Sequence, residues 1–160
     1  MAVKYEMQHQ YEGTGDYALR LASLVAIVTG LPLWNEGPEK GLWARLPERM
    51  CQGKGWYSSE LPKLFTSLGY NSSPDFKTRF DPATPYPCLM RFVPTKRALV
   101  LERRRKRLAT GDPTATVKPW WDMLVYYDGL VYDPGYRQPY PLERFPSLYK
   151  ITTMMQVWVA

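Results

Sequence analysis

Between residues 16 and 29 the chain reads as a helix with almost no polar side. Ala18, Leu21, Ala22, Val25 and Val28 recur at the three- and four-residue spacing of one helical stripe. Leu19, Leu24, Ala26 and Ile27 fill most of the remaining circumference. A helix apolar nearly all round is a buried helix, so this one is predicted to run through the core. Thr14 or Asp16 can cap its start, and Gly30 can end it by taking the left-handed conformation. A second helix is predicted from Ser58-Ser59-Glu60 onward. It has Pro62 in its first turn, Leu61, Leu64, Phe65 and Leu68 on one face, and Gly69 at its end. Residues 31–57, rich in Gly, Pro and Trp, show no clean period and read as irregular, with a short helix around 44–50.

The second half changes period. Residues 88–93 read as a strand ended by Pro94, after a Pro/Ser/Asp loop over 71–86. Residues 123–127 and 130–132 flank Asp128-Gly129, and Asp-Gly between two β-rich runs is the strongest short-range hairpin signal. A last strand covers 149–159. Residues 95–109 fit a helix capped by Thr95, supported by a Glu102–Lys106 pair and stopped at Gly111; the alternative is a long, highly charged strand. Helices followed by strands argue an α+β fold, with the buried N-terminal helix packed on an antiparallel sheet formed by the C-terminal half. One domain over residues 1–160 is expected, with 1–15 as a leading arm and 96–110 as a basic insertion.

Charge sharpens this picture at one place only. The net charge is +6, yet residues 96–107 hold seven basic side chains and a single acid, Glu102. Without them the chain has 14 basic and 14 acidic residues. The basicity is therefore a local patch centred on Arg103, Arg104, Arg105, Lys106 and Arg107. A solvated helix face is the most frequent outcome for such a run. Contact with nucleic acid comes second, through release of counterions from phosphates, and contact with an acidic protein third. Sequence readout is not expected, because no helix-turn-helix or zinc-finger pattern and no interleaved aromatic accompanies the patch.

Cofactor and metal chemistry find little support. Two cysteines and one histidine fall short of the four ligands of a structural zinc site, so neither metal nor cofactor is expected. No phosphate loop, GxSxG or HExxH occurs. The apolar stretch 18–28 is too short to span a bilayer and carries Arg20, so no membrane contact is expected. The polar start at residues 1–15 carries no secretory signal, which suggests a cytoplasmic setting or a particle (a virion) assembled in the cytoplasm.

The stretch GDYALRLASLVAIVTG, residues 15–30, resembles the nucleophile-bearing helix of papain-like cysteine peptidases, especially the bacteriocin-leader peptidases. Gln10, Asp16, Leu21, Ala22, Ser23 and Gly30 fall in places comparable to that family's pattern. SSELPKLFTSLGYN resembles the family's second helix, PCLMRFV the strand after it, and the hairpin closing on Asp133-Pro134 its histidine strand and orienting Asp-Pro. The resemblance implies a cleft between helix and hairpin, with Gln10 at the oxyanion-type position and Asp133 at the orienting one. It also implies that the chemistry is gone. Tyr17 stands where the cysteine belongs, and the histidine position falls on Trp121 or Asp122. Tyrosine, with a reference pKa near ~10, is a poor substitute for a thiolate. Tyr17 is expected to face Trp121 or Asp122 across the former cleft. A relocated dyad would have to join His9 to Cys51 or Cys88.

Aromatics crowd the same region. Trp120, Trp121, Tyr126, Tyr127, Tyr132, Tyr136, Tyr140 and Tyr149 lie within thirty residues, among Pro134, Pro139, Pro141 and Pro146. Trp120, Trp121 and Tyr136 are candidate contact residues, since Trp, Tyr and Arg dominate interface energetics. The alternative is that these rings pack on the Pro-rich loops. The sequence thus predicts a catalytically inactive papain-like domain acting through a protein partner, with a phage or bacterial assembly as a setting. The alternatives are an active hydrolase or transferase with a non-standard site, and a nucleic-acid-associated protein using residues 96–107.

Overall fold

A computed structural model describes residues 17–34, 41–51 and 57–160, the side chains of Tyr17 and Ala18 excepted. The predicted leading arm, with Gln10, His9 and the capping residues Thr14 and Asp16, lies outside the described residues.

Helix α1 (Tyr17–Thr29) ends where Gly30 takes φ +74°, as its pattern predicts. Residues 21–29 are all buried, including Ser23 and Thr29. Their hydroxyls are satisfied within the helix: Ser23 Oγ donates to the Leu19 carbonyl at 2.8 Å and Thr29 Oγ1 to that of Val25 at 2.7 Å. Two short helices, α2 (Leu42–Arg45) and α3 (Glu48–Cys51), stand where one was expected. Helix α4 (Glu60–Ser67) buries Leu61, Leu64, Phe65 and Leu68, and Gly69 at φ +88° turns the chain into the sheet.

The strands are β1 (Tyr70–Ser72), β2 (Thr78–Arg79), β3 (Cys88–Pro94), β4 (Asp122–Tyr127), β5 (Leu130–Tyr132), β6 (Tyr140–Pro141) and β7 (Tyr149–Val159). They form one seven-stranded sheet in the order β1-β7-β3-β4-β5-β6, with β2 also on β7, and every pairing is antiparallel. The loop predicted over 71–86 therefore holds two short strands. Both lie on the edge of β7 that β3 leaves free. Between Met90 and Phe92 the register with β7 shifts, so that β7 carries one extra residue there. The hairpin joining β4 to β5 turns through Asp128 at φ +48° and Gly129 at φ +82°, the paired left-handed conformations of a two-residue turn.

The core explains why this is an α+β fold. Cys88, Leu89 and Met90 are each fully buried, so the middle of the sheet is covered on both faces. Helix α1 lies against β3, β4 and β7. Register puts Tyr126 on the face of Cys88, Met90 and Phe92. There the Phe80 ring meets it edge-on at 5.0 Å.

Helix α5 (Lys96–Thr110) has both predicted caps. Thr95 Oγ1 accepts from the Ala98 amide at 3.2 Å, and Gly111 sits at φ +69°. The expected Glu102–Lys106 pair does not form. The Glu102 carboxylate instead accepts from the Trp120 indole N–H at 3.2 and 3.3 Å, while Lys106 Nζ donates to the Thr116 carbonyl at 2.8 Å. An exposed pair of this kind contributes only about 0.3–0.5 kcal/mol, so partners on the returning segment outcompete it.

Candidate functional site

The sheet's own register builds the site. Asp122 opens β4, and Asp133 follows directly after β5, so the hairpin brings two carboxylates to one end. Arg20, on the first turn of α1, reaches between them. Its Nη2 donates to Asp122 Oδ2 at 3.0 Å and to the Met123 carbonyl at 3.2 Å, and Nη1 lies 3.8 Å from Asp133 Oδ1. The carboxylates are tied to backbone as well. Asp122 Oδ1 accepts from the Met123 amide and Asp133 Oδ1 from the Gly135 amide, both at 2.8 Å. Asp133 thus keeps its ordinary role as a turn former beside Pro134 while also facing the cation.

Above this ion cluster opens a cleft of about 290 Å3 with aromatic walls. Phe92, Trp120, Phe145 and Tyr149 interlock, with Phe92 5.4 Å from Phe145 and 5.3 Å from Tyr149 and Trp120 5.7 Å from Tyr149. Tyr136 and Tyr140 form the other wall, edge to face at 5.8 Å. Burial pushes the Tyr140 phenol well up from its ordinary range, and Asp133 and Tyr136 reinforce this, so it stays a protonated donor.

Of the sequence-predicted residues, Asp122, Asp133, Trp120 and Tyr136 meet at this cleft. Trp121 does not. It turns away to lie under the Arg91 guanidinium at 4.8 Å and against Phe76 at 5.7 Å, so of the two candidates for the histidine position only Asp122 faces the site. Arg103, Arg104, Arg105, Lys106 and Arg107 sit apart, on α5. The Tyr17 side chain and Gln10 lie outside the described residues. Arg20 was missed as a site residue, although a single charge on an otherwise apolar helix had to find a counter-charge.

Cys88 is a poor candidate for substitute chemistry. Cys88 is fully buried, and burial pushes its thiol up to about 12. At neutral pH its thiolate fraction is then on the order of 10⁻⁵. Cys51 is half-buried, with its Sγ 3.7 Å from the Trp43 carbonyl. Among the described residues, no group of three His, Cys, Asp or Glu could hold a metal ion, and no helix is long and apolar enough to cross a membrane. Compared with known proteins, the chain matches no family model, no curated protein and no solved structure.

Buried acids set the pH response. Cys88, Tyr126, Tyr132 and Tyr140 are all raised by burial, so the unfolded chain gives up these protons first as pH rises. Their stabilisation is complete below the unfolded values and is lost upward from about pH 9. Urea midpoints should therefore fall steadily from pH 9 to 11. In the same range a chromogenic disulfide reagent should reach Cys88 only at the rate of unfolding. A flat midpoint, or quick native-state labelling at Cys88, would contradict this assignment.

Proposed function

We propose that the chain is a non-catalytic domain built on the helix-and-hairpin arrangement of papain-like peptidases, acting by protein–protein contact through the aromatic cleft. The observation that carries this reading is the Arg20 guanidinium held between Asp122 and Asp133. In a cysteine peptidase, helix and hairpin approach so that a thiolate and an imidazole come within hydrogen-bonding reach. Here an ion cluster stands between α1 and the β4–β5 hairpin. A guanidinium stays protonated in proteins and cannot serve as nucleophile or base. The two carboxylates face this cation and are anchored to backbone amides, an arrangement that ties helix to hairpin. The cleft above them has the composition of a contact surface, with Tyr136 58% exposed and Trp120 fixed at its indole N–H by Glu102. A cytoplasmic setting, or a phage or bacterial particle assembled there, goes with this reading and rests on the sequence alone.

The test uses random peptides displayed on phage and selected on the folded protein. Selected peptides are expected to lose about tenfold in affinity on Tyr136→Ala, the size of a modest hot spot. The exposed ring makes this change nearly neutral for folding. Hydrolysis of peptide substrates by the wild type, abolished by Asp122→Asn or Cys51→Ser, would overturn the non-catalytic reading. Peptides unaffected by Tyr136→Ala and by Tyr140→Phe would place the contact elsewhere.

A further inference from the structure

Strands β3 and β4 are direct neighbours, with Phe92 opposite Asp122, so a two-residue turn would suffice to join them. The chain instead inserts residues 95–121. Within α5 this excursion buries one side chain, Ala98, and its last turns stand clear of the sheet, with Leu108 86% exposed. It adds little to the core. What it concentrates is charge. Of the chain's 21 basic and 15 acidic residues, 8 and 2 lie within 96–118, leaving 13 of each elsewhere.

The charges are displayed rather than consumed. Lys96, Arg97, Arg103, Arg104 and Arg105 are exposed, and no hydrogen bond or ion pair ties them among the described residues. Lys106 and Arg107 are held to the returning segment by the carbonyls of Thr116 and Ala115, which leave the positive charge intact. Glu102 is tied to Trp120, and Asp112 accepts from Thr114 beside Lys106 and Arg107. Thr95 fixes the base of the arm twice, its amide and hydroxyl donating to the Leu148 carbonyl at 2.9 and 3.0 Å.

We propose that this α5 arm binds the phosphate backbone of double-stranded DNA without reading its sequence. A fifteen-residue helix is about 22 Å long and narrow enough for the major groove. Arg103, Arg104 and Arg105 follow one another at 100° steps and so fan across about 200° of its circumference, which lets them reach both phosphate walls. Residues 95–121 contain no Asn or Gln, the side chains that read adenine edges. A single strand would need free aromatic rings for stacking, and Trp120 is already committed to Glu102 and to its aromatic neighbours. A membrane surface would need a continuous apolar face free to insert, whereas Ala98 is buried, Leu99, Val100 and Leu101 are half-buried, and only Leu108 and Ala109 of the helix's apolar residues are exposed. The A-form major groove of duplex RNA is too narrow for the helix.

Fluorescence anisotropy with a random-sequence DNA duplex, titrated from about 50 to 200 mM salt, tests this. The wild type is expected to bind, with log affinity falling linearly against log salt. The variant Arg97→Gln, Arg103→Gln, Arg104→Gln, Arg105→Gln should lose at least tenfold in affinity at the low-salt end. Its slope should shrink by roughly 0.9 per lost contact, with the melting temperature unchanged. A control of equal charge, Arg45→Gln, Lys63→Gln, Arg79→Gln, Lys150→Gln, removes exposed cations elsewhere and should bind nearly as the wild type does. Equal losses in both variants would reduce the effect to net charge and overturn the proposal. So would no duplex binding at 50 mM salt, or preference for a single strand, duplex RNA or phosphatidylserine vesicles.

Discussion

Tyr126→Ala is expected to cost about 3–5 kcal/mol, the range for truncating a buried aromatic, read as a fall in the urea midpoint at constant slope. Tyr126 is 2% exposed and is among the largest fully enclosed side chains. Its ring closes one face of the sheet, with Phe80 edge-on. Its hydroxyl donates to the Pro82 carbonyl at 2.6 Å and accepts from the Gly129 amide at 3.2 Å, so one oxygen joins the 73–87 connection to the β4–β5 turn. Tyr126→Phe separates these roles. It keeps the ring and leaves the Pro82 carbonyl and Gly129 amide without that partner, which should cost about 1–3 kcal/mol. Amide exchange should then quicken at Gly129 before it does in β3. A Phe variant as stable as the wild type would show that water replaces the hydroxyl at no cost.

That anchor also marks where the sequence stops being informative. Helices α1, α4 and α5 are written in local code: an apolar period, Thr95 at one end of α5, and glycines forced left-handed at 30, 69 and 111. Asp128-Gly129 likewise declares its turn. Strands β1, β2 and β6 carry no such code. They are two or three residues long and partly polar, and they are strands only because β7 and β5 offer open edges. The extra residue of β7 opposite β3 belongs to the pairing, not to either segment. The site divides the same way. Its carboxylates could be placed from the hairpin, because Asp122 and Asp133 flank a turn of known register. Arg20 could not, since nothing local says which carboxylate, a hundred residues on, a helix will meet. Trp121 and Asp122 cannot both face the cleft, because neighbouring residues in extended chain point to opposite sides.

Arg20→Leu should prove costly for a surface-proximal residue, about 2–3 kcal/mol in urea unfolding. Removing one partner from a fully buried ion pair costs about 3–5 kcal/mol, and here water reaches the cluster, which reduces the figure. The Arg20 and Asp133 side chains are each 19% exposed and Asp122 is 41% exposed. The loss has two parts: a guanidinium that joins α1 to β4, and two carboxylates left side by side with that cation gone from between them. Arg20→Leu with Asp122→Asn and Asp133→Asn tells them apart. Asparagine can still accept the Met123 and Gly135 amides, so this triple variant should recover more than half of the loss, with couplings of about 1 kcal/mol. Arg20→Lys should recover less, because an ammonium is a point donor and cannot fork between Asp122, Asp133 and the Met123 carbonyl. An Arg20→Leu protein within 0.5 kcal/mol of the wild type, the ordinary scatter of surface changes, would show that the cluster anchors nothing. It would also remove the main reason for reading the cleft as a closed, non-catalytic site, because the space between helix and hairpin would then be free for other chemistry.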